Sequence, residues 1–191
     1  MKTFKIFAAA SLTLMLLSMS VCAQQADQQE MMKKWQEYMT PGQVHQDFAK
    51  MAGDWKAAVT MFDPSGQQMQ SEATANFEMI LGGRYMKSTF KGNMMGMPFE
   101  GMGLDGYDNA TKEYLSTWVD NMSTGIMFMK GVWDDATKSV IYTGTSTDPM
   151  TGKPQPIKSI NKVVDDKHVI NTMFNVVNGQ DVKMMEITYS R

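Results

Sequence analysis

Turn-forming residues divide the chain after residue 53 into ten short segments, and this spacing constrains the fold more than any other feature. The gaps hold Gly, Asn, Asp or Pro, the residues that hairpin turns require, as in Gly82-Gly83 and Asn178-Gly179. The segments are rich in Val, Ile, Thr, Tyr, Phe and Met, which is typical of strands. We predict strands over residues 55–62, 69–80, 85–91, 99–107, 113–119, 126–133, 140–147, 155–164, 168–177 and 182–189.

No gap between these segments is long enough for a crossover helix, which excludes a parallel sheet. Consecutive hairpins form a meander, and a long meander removes its two edge strands most simply by closing on itself. The sequence therefore predicts a mainly β fold, a ten-stranded antiparallel up-and-down barrel. One or two short helices are expected to precede it.

The N-terminus has the pattern of a secretory signal. A basic start with Lys2 and Lys5 is followed by an apolar run over residues 6–17 and by small residues up to Ala23. We predict that residues 1–23 are a signal peptide and that the protein is exported, periplasmic or secreted. A lipid anchor at Cys22 is the less favoured alternative, because Val21 is a poor fit for the position before an acylated cysteine. The apolar run is too short to span a bilayer, and no transmembrane segment is expected in the mature chain.

The net charge and the cysteine content exclude further classes of function. The formal net charge of −2 excludes a strongly basic nucleic-acid binder. Cys22 is the only cysteine and leaves with the predicted signal, so the mature chain is expected to hold no disulfide and no thiolate metal site.

Residues 24–52 are predicted to form an N-terminal helical lead before a barrel domain over residues 53–191. Met31, Trp35 and Tyr38 recur at the spacing of one helix face, and Thr40-Pro41-Gly42 ends this pattern. A second short helix is predicted over residues 44–52.

Motifs across the chain from His45 to Arg191 resemble the DUF1579 family. They are His45-x-x-Phe48-x-x-Met51-Ala52-Gly53-x-Trp55, Ile80-Leu81-Gly82-Gly83-Arg84-Tyr85, Pro98-Phe99-Glu100-Gly101-x-Gly103-x-x-Gly106-Tyr107-Asp108, Ser116-Thr117-Trp118-x-Asp120, Asp148-Pro149-Met150-Thr151-Gly152-Lys153 and Met185-Glu186-Ile187-Thr188-Tyr189-Ser190-Arg191. The resemblance brings no biochemical role with it, but it implies a lipocalin-like barrel.

Gly53-Asp54-Trp55 is also similar to the Gly-x-Trp motif that opens lipocalin and calycin barrels, a group with fatty-acid-binding-protein-like architecture. That resemblance implies a structural signature of Gly53, Trp55 and Arg191. In it, the indole of Trp55 packs under the guanidinium of Arg191, a cation–π contact near the closed end of the barrel.

The residues offer few routes to catalysis or to a cofactor. There is no Gly-x-Ser-x-Gly and no His-x-x-x-His, and His45 and His168 are the only histidines. We expect no metal and no cofactor. The alternatives are a haem ligated by His168, and Cu(I) held by thioethers of the Met94-Met95-Gly96-Met97 loop. The 22 methionines indicate first the lining and lip of a barrel, because Met fills irregular apolar space.

The preferred hypothesis is a non-catalytic protein that binds a small apolar or amphipathic molecule inside the barrel. The candidate lining residues are Arg84, Glu100, Trp118, Asp120 and Phe128. One alternative is an enzyme for an apolar substrate with Glu100 or Asp120 as base, which requires a buried carboxylate of raised pKa. Another is a structural or interaction protein of the envelope, which an exposed apolar patch on the Trp35 helix would favour.

Overall fold

The computed structural model describes residues 25–63 and 65–191 of the chain. The predicted signal peptide, with Cys22, lies outside the described residues. The first described element is a helix over residues 25–39, here α1, which belongs to a separate unit that ends at Thr40.

Helix α1 carries the predicted stripe of large apolar side chains, and the stripe is exposed. Trp35 is 56% exposed and Met31 54%. The Trp35 and Tyr38 rings meet edge to face with centroids 5.9 Å apart. This exposure is the observation that the interaction-protein alternative predicts.

The second unit, from Pro41 to Arg191, is a short helix followed by ten strands. The elements are α2 (Gln43–Lys50), β1 (Gly53–Phe62), β2 (Gln68–Ile80), β3 (Tyr85–Met94), β4 (Met97–Asp108), β5 (Glu113–Asp120), β6 (Met127–Asp134), β7 (Ser139–Thr147), β8 (Pro154–Asp165), β9 (His168–Val177) and β10 (Gln180–Ser190). Each strand pairs antiparallel with the next, and β1 pairs with β10, so the sheet is a closed barrel. The predicted fold class is confirmed.

The turns explain why each strand ends where it does. Between β2 and β3, Gly82 and Gly83 adopt φ values of 68° and 78°, in the left-handed region that glycine enters without steric cost. In the β7–β8 connection, the Asp148 carboxylate accepts hydrogen bonds from Met150 N and Thr151 Oγ1. These hydrogen bonds join residues close in sequence and do not depend on contacts with the rest of the barrel. Turns of this kind can therefore be predicted from the local sequence.

Helix α2 covers one end of the barrel, which we call the closed end. Phe48 is buried there, and its ring meets the Tyr114 ring edge to face at 6.0 Å. The His45 Nδ1 accepts a hydrogen bond from Gly42 N at 3.0 Å, which caps the start of the helix. The opposite end, which we call the rim, is formed by the turns that follow β1, β3, β5, β7 and β9.

The chain end is tied to the start of the barrel at the closed end. The Arg191 guanidinium carbon lies 4.4 Å from the centroid of the Trp55 ring, so the expected contact is present. Arg191 Nη1 donates to the Ala52 carbonyl at 3.0 Å, and Nη2 donates to the Lys50 carbonyl at 2.9 Å. One side chain therefore fastens the last residue to the linker between α2 and β1.

Candidate functional site

The strand register decides which side chains face the interior. Phe99 is buried, and the alternation of β4 places Gly101, Gly103 and Asp105 on the same face. Each of these pairs with an inward position of β5, as Asp105 does with Ser116. The same alternation carried around all ten strands places no Lys or Arg on an inward position.

Asp105 is an inward, half-buried carboxyl group of this interior. Burial raises the pKa of its carboxyl to about 6, and a hydrogen bond from Ser116 offsets part of that rise. Burial also raises the pKa of the Tyr142 and Tyr189 hydroxyls, and the Asp105 carboxylate adds to the rise at each of them. A carboxyl group and two phenols thus lie close together inside the barrel.

The hydroxyl groups of these two inward phenols are not fully enclosed. Tyr142 is only 3% exposed, yet its hydroxyl has no hydrogen-bond partner among the described residues. Within the same residues, every fully enclosed side-chain oxygen and nitrogen has a partner. The Tyr142 hydroxyl therefore keeps accessible surface, and the same holds for Tyr189, although both side chains point inward. Accessible surface on inward side chains is consistent with a barrel that side chains do not fill completely.

Glycines leave room for the large rings to lie along the wall. Trp118 of β5 covers Gly101 of β4, where an added Cβ would be 2.2 Å from the indole. The indole stacks on Phe99 with centroids 6.5 Å apart, and its Nε1 donates to Asp120 Oδ2 at 2.8 Å. In the same way Tyr142 lies over Gly131. Rings held flat against the strands take up less of the space along the barrel axis.

Methionines occupy both the lining and the rim. Met86 and Met129 are buried at 4% exposure each. At the rim, Met61, Met69 and Met95 border a pocket of about 240 Å³. These five methionines lie in the lining or at the rim, whereas others, such as Met31 on α1 and Met102 on the outer face of β4, are exposed elsewhere.

The five predicted lining residues are divided between the two faces of the wall. Trp118 and Asp120 share the inward face of β5 with Ser116. Glu100 points outward, its side chain 66% exposed and 3.5 Å from Lys91. Phe128 is also on the outer face, 46% exposed. Arg84 is exposed in the β2–β3 turn at the closed end and donates to the Leu81 carbonyl. Arg84, Glu100 and Phe128 therefore do not line the interior.

Glu100 therefore does not meet the requirement for the alternative role of a catalytic base. Another carboxyl group, which the sequence did not indicate, comes closer to it. The inward carboxyl of raised pKa is the half-buried Asp105, five residues further along β4. The alternation of side chains along β4 indicates this. Every second residue from the buried Phe99 onward, including Asp105, is on the inward face, whereas Glu100 is on the opposite face.

The two histidines lie outside the interior lining. Burial lowers the pKa of His45, whose ring accepts the hydrogen bond that caps the N-terminus of α2. His168 begins β9 at the closed end, its side chain 51% exposed and its Nδ1 2.9 Å from an Asp165 carboxylate oxygen. Neither is placed to ligate a group inside the barrel. Within residues 25–63 and 65–191, no three His, Cys, Asp or Glu side chains come together as a metal site.

A second concavity lies on the outer wall beside Arg191. It measures about 560 Å³ and is lined by polar side chains that include Lys56, Asn76 and Lys91. Asn76 in this groove already donates to Asp54 at 2.7 Å, and Lys91 pairs with Glu100. The side chains of Asn76, Lys91 and Arg191 are thus already paired, and we take the interior as the candidate site. No helix in the described part of the chain has the length and hydropathy to cross a membrane.

Comparisons with known proteins support the fold but do not indicate a reaction or a ligand for this chain. The family model described as "Protein of unknown function (DUF1579)" matches residues 40–191. The crystal structure of Rv2717c from M. tuberculosis is similar with a TM-score of 0.58 at 11% identity, over 80% of this chain and 99% of that one. The S-type phycobiliprotein lyase CPES from Guillardia theta is similar with a TM-score of 0.56 at 7% identity, over 81% and 94%. At such identities the likeness shows the fold alone. No curated protein matches the sequence.

Proposed function

Since the chain belongs to the DUF1579 family, which brings no activity with it, we propose from the site itself that the barrel binds a small amphipathic molecule. The observation that carries this proposal is the hydroxyl of the otherwise buried, inward Tyr142, which keeps accessible surface and has no hydrogen-bond partner among the described residues. Pockets for small molecules combine an apolar lining with a few placed polar groups, and this interior has that composition.

The ligand's two parts would meet two zones of the barrel. The polar part lies against Asp105, Ser116 and the Tyr142 and Tyr189 hydroxyls. The apolar part lies toward the rim, where Trp118 and inward methionines such as Met185 provide soft, polarisable contacts. The fold shared with the phycobiliprotein lyase is consistent with a ligand-binding barrel.

Fluorescence quenching tests whether a molecule enters the barrel. Bromine quenches indole fluorescence on contact, so a brominated alkyl alcohol should quench Trp118 as it binds. The Trp118→Phe variant should lose most of the quenching. The Trp133→Phe variant, which changes an indole that is 45% exposed at the closed end, should retain it. Equal quenching in both variants would contradict binding in the interior.

Export is the second part of the proposal. The basic, apolar and small-residue pattern of residues 1–23 supports cleavage before Gln24 and release into the periplasm or medium. Mass spectrometry of the full-length gene product expressed in a bacterium should find a chain that begins at Gln24. A species that begins at an acylated Cys22 would favour the lipid anchor, and an uncleaved cytoplasmic chain would refute export.

A further inference from the structure

The charges on the inner wall specify the kind of molecule that the interior can hold. Asp105 and Asp120 are inward, and the inward positions of the ten strands include no Lys or Arg. No described residue forms a salt bridge to Asp105. The interior therefore carries negative charge without a compensating cation, an arrangement that costs free energy unless a ligand supplies the counter-charge.

Tyrosine rings lie near the same carboxylate. The Tyr114 ring meets the Tyr142 ring at a centroid distance of 6.4 Å and the Tyr107 ring at 5.1 Å. Tyr189 is close enough for the Asp105 charge to act on its hydroxyl. Ring faces carry partial negative charge and attract cations, most strongly where water is excluded. Carboxylate and rings thus favour the same sign of ligand.

Tyr142 provides a second, independent indication of a ligand at this place. Its side chain is inward and nine-tenths or more buried, and its hydroxyl keeps accessible surface with no hydrogen-bond partner among the described residues. A phenol oxygen in this position can accept a hydrogen bond from an N–H group that also contacts Asp105.

We propose that the molecule bound in the barrel carries a cationic amine head, which pairs with Asp105 among the tyrosines while its apolar part extends toward Trp118 and the rim. This rests on the proposed function of the barrel as a binding site. The assignment has a converse: a fatty acid would bring a second negative charge next to Asp105, with no Lys or Arg in the lining to offset it. The interior should thus disfavour the ligand class that fatty-acid-binding barrels take up.

Three eight-carbon probes test this assignment. Octylamine, octanol and octanoate each have eight carbon atoms and differ at the first of them, and isothermal titration at neutral pH gives their affinities. We expect octylamine to bind at least about tenfold more tightly than octanol, and octanoate more weakly than both, as hydrogen bonds to charged groups are stronger than neutral ones. Equal binding of amine and alcohol, or preference for octanoate, would overturn the proposal.

Two single-residue variants test whether Asp105 is the cause of the preference for octylamine. Asp105→Asn should remove the advantage of octylamine over octanol, so that the ratio of the two affinities falls to about one. Glu78→Gln, which changes an outward carboxylate paired with Lys87 on β3, should leave both affinities unchanged. If Asp105→Asn keeps the amine preference, the assignment to Asp105 is wrong. The comparison of the three probes with the unmodified protein stands even if the variant does not fold.

The outcomes also separate this inference from the proposed function. If octanol binds and quenches Trp118 without any advantage for octylamine, the cationic head is refuted and binding in the barrel survives. If none of the three probes binds, both are refuted.

Discussion

Two acidic residues on β4 show how the face of a strand sets the properties of a carboxyl group. Glu100 faces outward, is well exposed and lies near Lys91, where solvent screens its charge. Asp105 faces inward, where burial favours its neutral form and raises its pKa. The neighbours that face the interior from β5, β7 and β10 are hydroxyl groups, which hydrogen-bond but bring no positive charge. Asp105 is therefore a group that destabilises the empty fold when ionised.

We predict a specific pH dependence for the stability of Asp105→Asn. Between pH 3.8 and about pH 6 the unfolded chain has lost the Asp105 proton while the folded chain keeps it, so the free energy of unfolding of the unmodified protein falls as pH rises. The variant lacks this contribution. Urea unfolding should find the variant gaining up to about 3 kcal/mol relative to the unmodified protein across that interval. A difference that does not change with pH would contradict the raised pKa.

Arg191 is the second residue whose single side chain has a large structural role. It joins the Trp55 ring, the Lys50 and Ala52 carbonyls and, through Nε, the Asp166 carbonyl. Those partners come from the α2–β1 linker, β1 and the β8–β9 turn. The contact therefore fixes the closed end of the barrel, away from the proposed ligand.

Truncation of this side chain should lower stability and leave binding intact. Arg191→Ala loses the cation–π contact and the carbonyl hydrogen bonds, at a cost of about 2 kcal/mol in the free energy of unfolding. Arg191→Lys keeps the charge but not the planar fork, so it should recover less than half of the loss. Denaturant unfolding measures both. Full recovery by lysine would show that charge alone matters at this site.

At the scale of elements, β4 and β5 form the pair that shapes the interior. Gly101 and Gly103 on β4 leave space that Trp118 on β5 fills, since an added Cβ at Gly101 would overlap the indole. The ring consequently lies against the wall, stacked on Phe99. The helix α2 complements this pair from the closed end, where Phe48 covers Tyr114.

A methyl group at position 101 should therefore disturb the site. Gly101→Ala should force the Trp118 ring from the wall, cost about 1–3 kcal/mol in stability and shift the tryptophan emission. Gly125→Ala is the matched control, because nothing lies within 4 Å of its added Cβ. The control should change neither property by a measurable amount. If both variants behave alike, the packing of Trp118 on Gly101 does not hold.

For the molecule as a whole, strand number, order and bounds could be predicted from the sequence. The turns are local: Gly82-Gly83 and Asp148 act through backbone conformation and hydrogen bonds within a few residues. Antiparallel pairing of neighbours follows once the turns are placed. The structure extends most predicted strands by one to three residues, as in β1, which begins at Gly53 and not at residue 55.

The site was harder to predict because it depends on which face of each strand is inward. Both faces of β6 carry large side chains, so the sequence alone does not show which face is inward. The register of Phe128 with Thr117 and Thr145 places it on the outer face. Irregular register between Lys183 and Met185 on β10 also interrupts simple alternation. The clustering of Asp105 with Tyr142 and Tyr189 joins β4, β7 and β10, and no local pattern reports such a contact.

The central claim is that the barrel interior binds a small amphipathic molecule, and methionine methyl resonances test it most directly. Protein labelled with carbon-13 at the methionine methyl groups is titrated with octylamine and followed by NMR. We predict shifts for inward methionines, such as Met129 and Met185, and none for Met102, which is exposed on the outer face of β4. Unchanged inward resonances, with shifts confined to the exposed methionines, would contradict the account.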